Sequence, residues 1–225
     1  MVALRRISAA IVFAGLVARL GAAPADARAV QTAQDLQKKY AAIKDFSADF
    51  VHVYTGGALK KQLTERGHLL IKKPGKMRWE YTAPEQKLFV SDGVKMYSYI
   101  PQDKQVIVTS VPQGEQVTTP LLFLSGKGDL TRDFTPAIVQ TPATLPSGSE
   151  SLKLVPKTPQ QDYDWLIVAV EPRSLAIVGL VTADAQGGTS SFSFSNLKEN
   201  IGLADKDFAF KIPRGVDVVT DGSRR

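Results

Sequence analysis

Few residues in this 225-residue chain have the type and spacing that acid–base or nucleophilic chemistry needs. Its two histidines, His52 and His68, fall in the middle of predicted strands and outside any zinc-binding spacing such as H-E-x-x-H. Ser147 lies in a loop rich in proline and serine, not at the strand-to-helix turn of a G-x-S-x-G nucleophile. The fold could still bring a serine, a histidine and an acid together as a triad, but no pattern in the sequence favours one. The sequence therefore predicts no catalytic residue and no metal site.

The composition excludes several kinds of site and partner. The chain contains no cysteine, which excludes disulfides and thiolate metal sites. The net charge of +6 is spread along the chain, so nucleic acid is not an expected partner. No motif calls for a cofactor. The length and the 44% of hydrophobic residues indicate one globular domain with a substantial core.

The N-terminal residues have the pattern of a secretory signal peptide. Two arginines precede an apolar run over 7–18, and Ala25-Asp26-Ala27 is an A-x-A cleavage site. A second A-x-A lies just upstream, so the cut is assigned after Ala27 as a working choice. The predicted organisation is a signal peptide over 1–27 and a single exported domain over 28–225.

Apolar periodicity predicts a helix that is followed by many strands. Leu36, Tyr40 and Ile43 recur at i, i+4 and i+7, which predicts a helix over about 31–43 with Thr32 in a capping box. From Phe46 onward the period changes to two, and closely spaced turns favour antiparallel pairing.

The clearest strand has the sequence Lys76–Thr82. Met77, Trp79 and Tyr81 point to one face, and charged residues alternate with them, as in a half-buried antiparallel strand.

Three later segments interrupt this pattern. Residues 119–126 predict a short helix that begins at Thr119-Pro120 and ends at Gly126, and 128–134 predict another helical turn. Residues 135–151, which contain three prolines, are predicted as loop. The predicted fold class is mainly β: a large, strongly curved antiparallel sheet with a few short helices.

A sheet of about ten strands has more concave surface than these helices can fill, which suggests a shallow barrel with a lid over a partly empty apolar space. Barrels of this size can hold one lipid-like ligand. The same side chains could instead form an ordinary packed core. The candidate cavity residues are Phe50, Leu69, Ile71, Met77, Trp79, Tyr81 and Met96 in the wall, and Leu36, Tyr40, Leu121, Leu122, Phe123 and Leu124 in the lid.

An ordered series of short motifs resembles the outer-membrane lipoprotein carrier (LolA) family over residues 35–219. The motifs are Lys72–Tyr81, Val90–Gly93, Tyr97–Pro101, Thr119–Leu124, Phe192–Phe194, Asn196-Leu197, Asn200, Phe208, Phe210, Pro213 and Gly215-Val216. The resemblance implies an unclosed, strongly curved antiparallel β-barrel of about eleven strands, with a lid of short α-helices over an apolar cavity.

The resemblance also implies a function, that of a periplasmic chaperone and not an enzyme. Such a protein binds the acyl chains of lipoproteins, receives them from an inner-membrane ABC-type lipoprotein-releasing complex, and passes them to an outer-membrane acceptor lipoprotein. It would work as a monomer without a cofactor. Two alternatives stay open: a periplasmic lipid-binding or acyl-chain-sensing protein of the same fold, and a secreted hydrolase.

One position departs from the family pattern. The family places an arginine before the proline of the turn that follows the second strand, and that arginine is taken to hold the lid closed by hydrogen bonds to lid carbonyls. Here the residue is Lys73, followed by Pro74. Lysine lacks the planar fork of arginine, so Lys73 could be a weaker latch, Lys72 or Arg78 could share the role, or Lys73 could be an ordinary surface residue.

Overall fold

The computed structural model of the protein describes residues 27–56, 61–111, 124, 126, 128–160, 163–183 and 187–220. The candidate lid residues Leu121, Leu122 and Phe123, the predicted signal peptide up to residue 26 and most of the predicted helix 119–126 lie outside the described residues.

The described residues form one helix, one 3-10 helix and twelve strands. The helices are α1 (Ala27–Ala42) and the 3-10 helix Asp205–Phe208. The strands are β1 (Asp45–Thr55), β2 (Gln62–Lys72), β3 (Lys76–Ala83), β4 (Lys87–Asp92), β5 (Lys95–Ile100), β6 (Gln105–Ser110), β7 (Phe134–Val139), β8 (Glu150–Pro156), β9 (Trp165–Val170), β10 (Ile177–Ala183), β11 (Thr189–Glu199) and β12 (Asp217–Thr220).

All twelve strands belong to one sheet with the order β12-β6-β5-β4-β3-β2-β1-β11-β10-β9-β8-β7. Every neighbouring pair is antiparallel except β12 and β6, which run parallel. The two edge strands β12 and β7 are the ends of this order, so the curved sheet is unclosed. The mainly β fold class is confirmed, with twelve strands in place of about eleven.

Helix α1 covers the concave face of the sheet. Its buried residues Ala29, Ala33, Leu36 and Tyr40 follow the helical period, and the helix lies against β7 and β8. It includes residues 27–30, which precede the predicted start, so Thr32 lies within the helix and does not cap it. The Thr32 hydroxyl instead donates to the Glu150 carboxylate of β8 at 3.3 Å.

Two predictions for the following segments are wrong. Residues 128–133 form a single turn, in which the Asp133 N–H donates to the Asp129 carbonyl at 3.0 Å, and it does not continue as a helix because β7 begins at Phe134. Residues 134–139 form strand β7 rather than a loop. Pro136 fits there because β7 is an edge strand with a neighbour on one side only. On such a strand, a proline that lacks an N–H is tolerated where its nitrogen faces away from that neighbour.

The C-terminal segment is fastened to the outside of the sheet. The Asp45 carboxylate accepts the N–H groups of Ile201 (2.8 Å) and Gly202 (3.0 Å). Lys72 and Lys76 form ion pairs of 2.6 and 2.9 Å with Asp205. Among the described residues, no helix is long and apolar enough to cross a membrane.

Candidate functional site

The predicted wall residues meet on the concave face of the sheet. The alternation predicted for β3 is confirmed, since Met77, Trp79 and Tyr81 are all buried. They join one apolar cluster with the remaining predicted residues that the structure describes. Those residues are Phe50, Leu69 and Ile71 in the wall, Leu36, Tyr40 and Leu124 in the lid, and Met96, which is partly buried at the edge of the cluster.

Aromatic rings occupy the middle of this face. The ring centroid of Phe50 lies 4.8 Å from that of Tyr81 and 5.1 Å from that of Trp79. Phe192 of β11 lies 5.4 Å from Trp79, and Phe194 follows it at 6.4 Å. Neither phenylalanine was among the predicted wall residues, although their spacing of two residues placed them on one face of a strand.

The described side chains of α1 pack against those of the wall. One cleft beneath α1 has a volume of about 10 Å³, which is room for about one water molecule. It is lined by Tyr40, Ile43, Phe46, Leu124, Ile177, Phe194, Leu197 and Glu199. Side chains of the helix and the wall pack against each other around this cleft. The partly empty apolar space that the sequence suggested stays a prediction.

Two polar contacts fix the C-terminal end of α1. The buried Tyr40 hydroxyl donates a hydrogen bond to the carbonyl of Leu124. The Lys73 ammonium donates to the backbone carbonyl of Tyr40 and lies 3.5 Å from the centroid of the Tyr40 ring. Tyr40 is in the last turn of α1, where carbonyls lack their usual helical partner and attract cations.

The stem of Lys73 also packs closely over Gly126. A Cβ atom at Gly126 would lie 2.8 Å from the Lys73 Cδ, so the glycine leaves the space that this side chain fills. Lys73 thus contacts both the helix and the segment around 124–126. The alternative latch residues have other partners, since Lys72 binds Asp205 and Arg78 binds Glu80 at 2.6 Å.

Burial changes the pKa of the Tyr40 hydroxyl and of the Lys73 ammonium. It raises the pKa of the Tyr40 hydroxyl well above 10.0, and the charge of Glu199 adds to this effect. Burial lowers the pKa of Lys73 from 10.5 to about 8, with Glu199 acting in the opposite direction. The Lys73 charge is therefore partly desolvated where it contacts α1.

A second polar cluster lies on the same face near the end of β1. The two ring nitrogens of His52 lie 3.3 Å from the Ser190 Oγ and 3.1 Å from the Glu65 Oε2. The other Glu65 oxygen accepts from Lys87 at 2.6 Å, and the His52 ring stacks on Phe192 at 4.1 Å. Burial lowers the pKa of His52, and Lys87 adds to this, whereas Glu65 opposes it.

This cluster has the residue types of a Ser-His-acid triad, which sequence reasoning missed because cross-strand pairing brings β11, β1 and β2 together. Its setting is not that of a nucleophile. Ser190 is in the middle of a sheet and pairs with Tyr54 on one side and Thr182 on the other. The ladders thereby occupy the backbone N–H groups that an oxyanion hole would require. Among the described residues, no group of histidines and carboxylates could hold a metal ion.

The comparisons with known proteins agree with this geometry. The family model for "Outer membrane lipoprotein carrier protein LolA" matches residues 41–211. The outer-membrane lipoprotein carrier protein of Chromohalobacter salexigens is 34% identical over 80% of this chain and 82% of its own length. That of Chromobacterium violaceum is 32% identical over 95% and 96% of the two chains.

A solved structure shares the fold. An uncharacterized conserved protein from Thermus thermophilus aligns with a TM-score of 0.50 at 15% identity, over 84% of this chain and 98% of its own. The family model covers far more than half of the chain, and the identities above apply to nearly whole relatives. The chain therefore belongs to the outer-membrane lipoprotein carrier (LolA) family.

Proposed function

We propose that this protein is a periplasmic chaperone that binds the acyl chains of lipoproteins between α1 and the concave face of its sheet. The observation that carries the proposal is a continuous apolar face covered by helix α1, whose C-terminal end is fixed by Tyr40 and Lys73. Membership of the carrier family supports lipoproteins as the cargo.

The physical need for such a protein is the insolubility of the cargo. Burying each CH₂ group gains about 0.8 kcal/mol of free energy, so moving a chain of about 16 carbons into water costs roughly 10 kcal/mol. A carrier must replace the membrane as the apolar environment and still release the chain. The buried side chains of α1 are an alternative partner for the wall residues when no chain is bound.

Loading would exchange one set of contacts for another. Opening exposes the apolar side of α1 and breaks the hydrogen bonds to the carbonyls of Leu124 and Tyr40, each contributing about 0.5–1.5 kcal/mol net. An acyl chain then covers the exposed wall. In the carrier without a ligand, α1 can pack against the wall. The net affinity for an acyl chain is therefore lower than the buried area alone would give, which favours release.

The proposed site contains the wall and lid residues of the sequence prediction. They are Phe50, Leu69, Ile71, Met77, Trp79, Tyr81 and Met96, with Leu36, Tyr40, Leu121, Leu122, Phe123 and Leu124, and Lys73 is the lid latch. To these we add Phe192 and Phe194, whose rings contact Trp79.

The direction of transport and its partners complete the proposal. Cargo comes from an inner-membrane ABC-type lipoprotein-releasing complex and leaves to an outer-membrane acceptor lipoprotein. The carrier acts as a monomer without a cofactor, and the signal-peptide pattern of residues 1–27 supports export to the periplasm.

The test uses residues 28–225 and a triacylated lipopeptide, with the deacylated peptide as control. Native mass spectrometry counts the bound ligand, and the fluorescence of Trp79 and Trp165 follows binding. We expect stoichiometric binding of the acylated peptide alone, and transfer of the bound peptide to vesicles that carry an acceptor. Equal binding of both peptides, or of neither, would contradict the proposal.

A matched pair of variants locates the site. Leu36→Glu places a carboxylate on the buried face of α1, and Lys38→Glu places one on its exposed face. A buried charge without a partner is costly, so we expect the Leu36 variant to lose lipopeptide binding and the Lys38 variant to keep it. Circular dichroism of both variants checks that the sheet is intact.

A further inference from the structure

The indole nitrogen of Trp79 is a buried hydrogen-bond donor at the centre of the apolar face. The residue is 2% exposed, and among the described residues its Nε1–H has no hydrogen-bond partner. Its cross-strand neighbours, Leu69 and Phe89, are apolar, and the nearby rings of Phe50 and Phe192 present only aromatic surfaces.

An unpaired buried N–H is unusual, because nearly all buried polar groups in native proteins have a partner. Tyr40 in the same cluster shows the usual situation, since its hydroxyl donates to the Leu124 carbonyl. A contact of the Trp79 N–H with an aromatic face would be a weak substitute for a carbonyl. A phenylalanine would fill most of the same apolar space without carrying an unused donor. The indole therefore points to an acceptor that is present only when the site is occupied.

We infer that the Trp79 Nε1–H donates a hydrogen bond to the ester or amide carbonyl at the head of an acyl chain bound in the interior. This inference rests on the proposed function. An acyl chain is apolar except for the carbonyl that links it to glycerol or to an amine, and this oxygen is only an acceptor. The indole N–H is only a donor, so the two groups match.

The inference gives the site a chemical selectivity that apolar packing lacks. Methylene groups pack equally well in an ester, an amide or an ether lipid. A buried donor distinguishes them, because an ether offers a far weaker acceptor and leaves the N–H unpaired. The donor gains its partner only in the loaded state, so its hydrogen bond favours the loaded state over the empty one.

The first experiment compares two ligands and three proteins. A diacyl lipopeptide with ester links and its dialkyl ether analogue are titrated against the wild type, Trp79→Phe and Trp165→Phe. Trp165 is the matched control, because its ring lies under the Lys153 ammonium at 5.0 Å, away from the central aromatic cluster. We expect the wild type and the Trp165 variant to prefer the ester by roughly tenfold, and the Trp79 variant to lose this preference.

The second experiment needs no substitution of Trp79. The indole N–H groups give two signals in a ¹⁵N–¹H spectrum, and Trp165→Phe assigns them. On binding of the ester lipopeptide, we expect the Trp79 indole proton to move downfield, as it does when it gains a carbonyl acceptor. The ether analogue should leave it near its position in the empty protein.

The outcomes separate the inference from the function on which it rests. If the wild type binds both ligands with equal affinity and the Trp79 proton shifts equally with each, the inference is overturned and the carrier function stands. If the wild type binds neither ligand, both are overturned. A wild-type preference for the ester that Trp79→Phe retains would assign the carbonyl to another donor and would also overturn the inference.

Discussion

The Lys73 ammonium contacts Tyr40 twice: it donates to the backbone carbonyl, and it lies 3.5 Å from the centroid of the ring. A single lysine thus binds the end of a helix through its carbonyl dipole and through a cation–π contact. The same Tyr40 ring carries the hydroxyl that reaches Leu124. Lys73, Tyr40 and Leu124 therefore form one chain of contacts, which joins the β2–β3 turn to α1 and to the segment beyond β6.

The first prediction concerns the pH dependence of this contact. The pKa of Lys73 is about 8 in the folded protein and 10.5 when the side chain is solvated. Between these values the unfolded or open state holds a proton that the closed state lacks. Stability therefore rises with pH across this window and falls as pH drops towards 8.

Urea unfolding at pH 7.5, 8.5 and 9.5 measures the effect against Lys73→Arg. Arginine does not deprotonate, so the variant should lack the rise, and the difference between the two proteins cancels the other titrating groups. One such group is the Tyr40 hydroxyl, whose pKa burial raises well above 10.0. Parallel pH profiles for the two proteins would show that Lys73 is solvated and is not a latch.

The second prediction is that Tyr40→Phe loosens α1 without changing the sheet. The substitution keeps the ring beside Lys73 and leaves the buried Leu124 carbonyl without the hydroxyl. We expect a loss of about 1–3 kcal/mol in the free energy of unfolding, and faster hydrogen exchange of α1 amides. Tyr54→Phe is the control, because Tyr54 is exposed, and it should stay within about 0.5 kcal/mol of the wild type. Unchanged exchange in α1 would contradict the role of the hydroxyl.

Local periodicity correctly predicted which side chains are buried wherever the spacing within a single helix or strand determines the buried face. The face of α1 that contains Leu36 and Tyr40 and the alternation of Met77, Trp79 and Tyr81 follow from spacing alone, and the structure confirms both. A helix or strand with one apolar face has only one way to bury it. The resemblance to the carrier family added the unclosed sheet, which no single element could indicate.

What the sequence could not predict depends on which strands become neighbours. Pro136 disfavoured a strand until β7 was known to be an edge. Thr32 resembled a cap because nothing local showed Glu150 beside it. The cluster of His52, Glu65 and Ser190 joins residues that are up to 138 positions apart along the chain. The apolar cluster likewise joins side chains of α1 and of many strands, which spacing along one strand does not specify.

The third prediction tests a close approach within the wall. At Gly67 a Cβ atom would lie 2.0 Å from the backbone oxygen of Glu80 and 2.6 Å from the Cζ of Phe50. Gly67→Ala must therefore push β2 from β3 and also displace the Phe50 ring, and we expect it to cost about 3 kcal/mol in the free energy of unfolding.

The matched control is Gly56→Ala. The Cβ at that position would have its nearest neighbour at 3.8 Å, so we expect a change within about 0.5 kcal/mol. Thermal and urea unfolding of both variants provide the measurement. A Gly67 variant as stable as the Gly56 variant would mean that the strands are not packed as closely as described.

The last prediction concerns the Ser190–His52–Glu65 cluster. Because the ladders on both sides of β11 occupy the backbone N–H groups beside Ser190, we expect no hydrolysis of ester or amide substrates by the wild type. We also expect Ser190→Ala and His52→Ala to leave the background rate unchanged in a substrate screen. Glu65 already binds Lys87, so His52→Ala leaves the carboxylate paired and the protein folded. Turnover by the wild type that Ser190→Ala abolishes would identify a hydrolase and contradict the assignment of this cluster to the structure of the barrel.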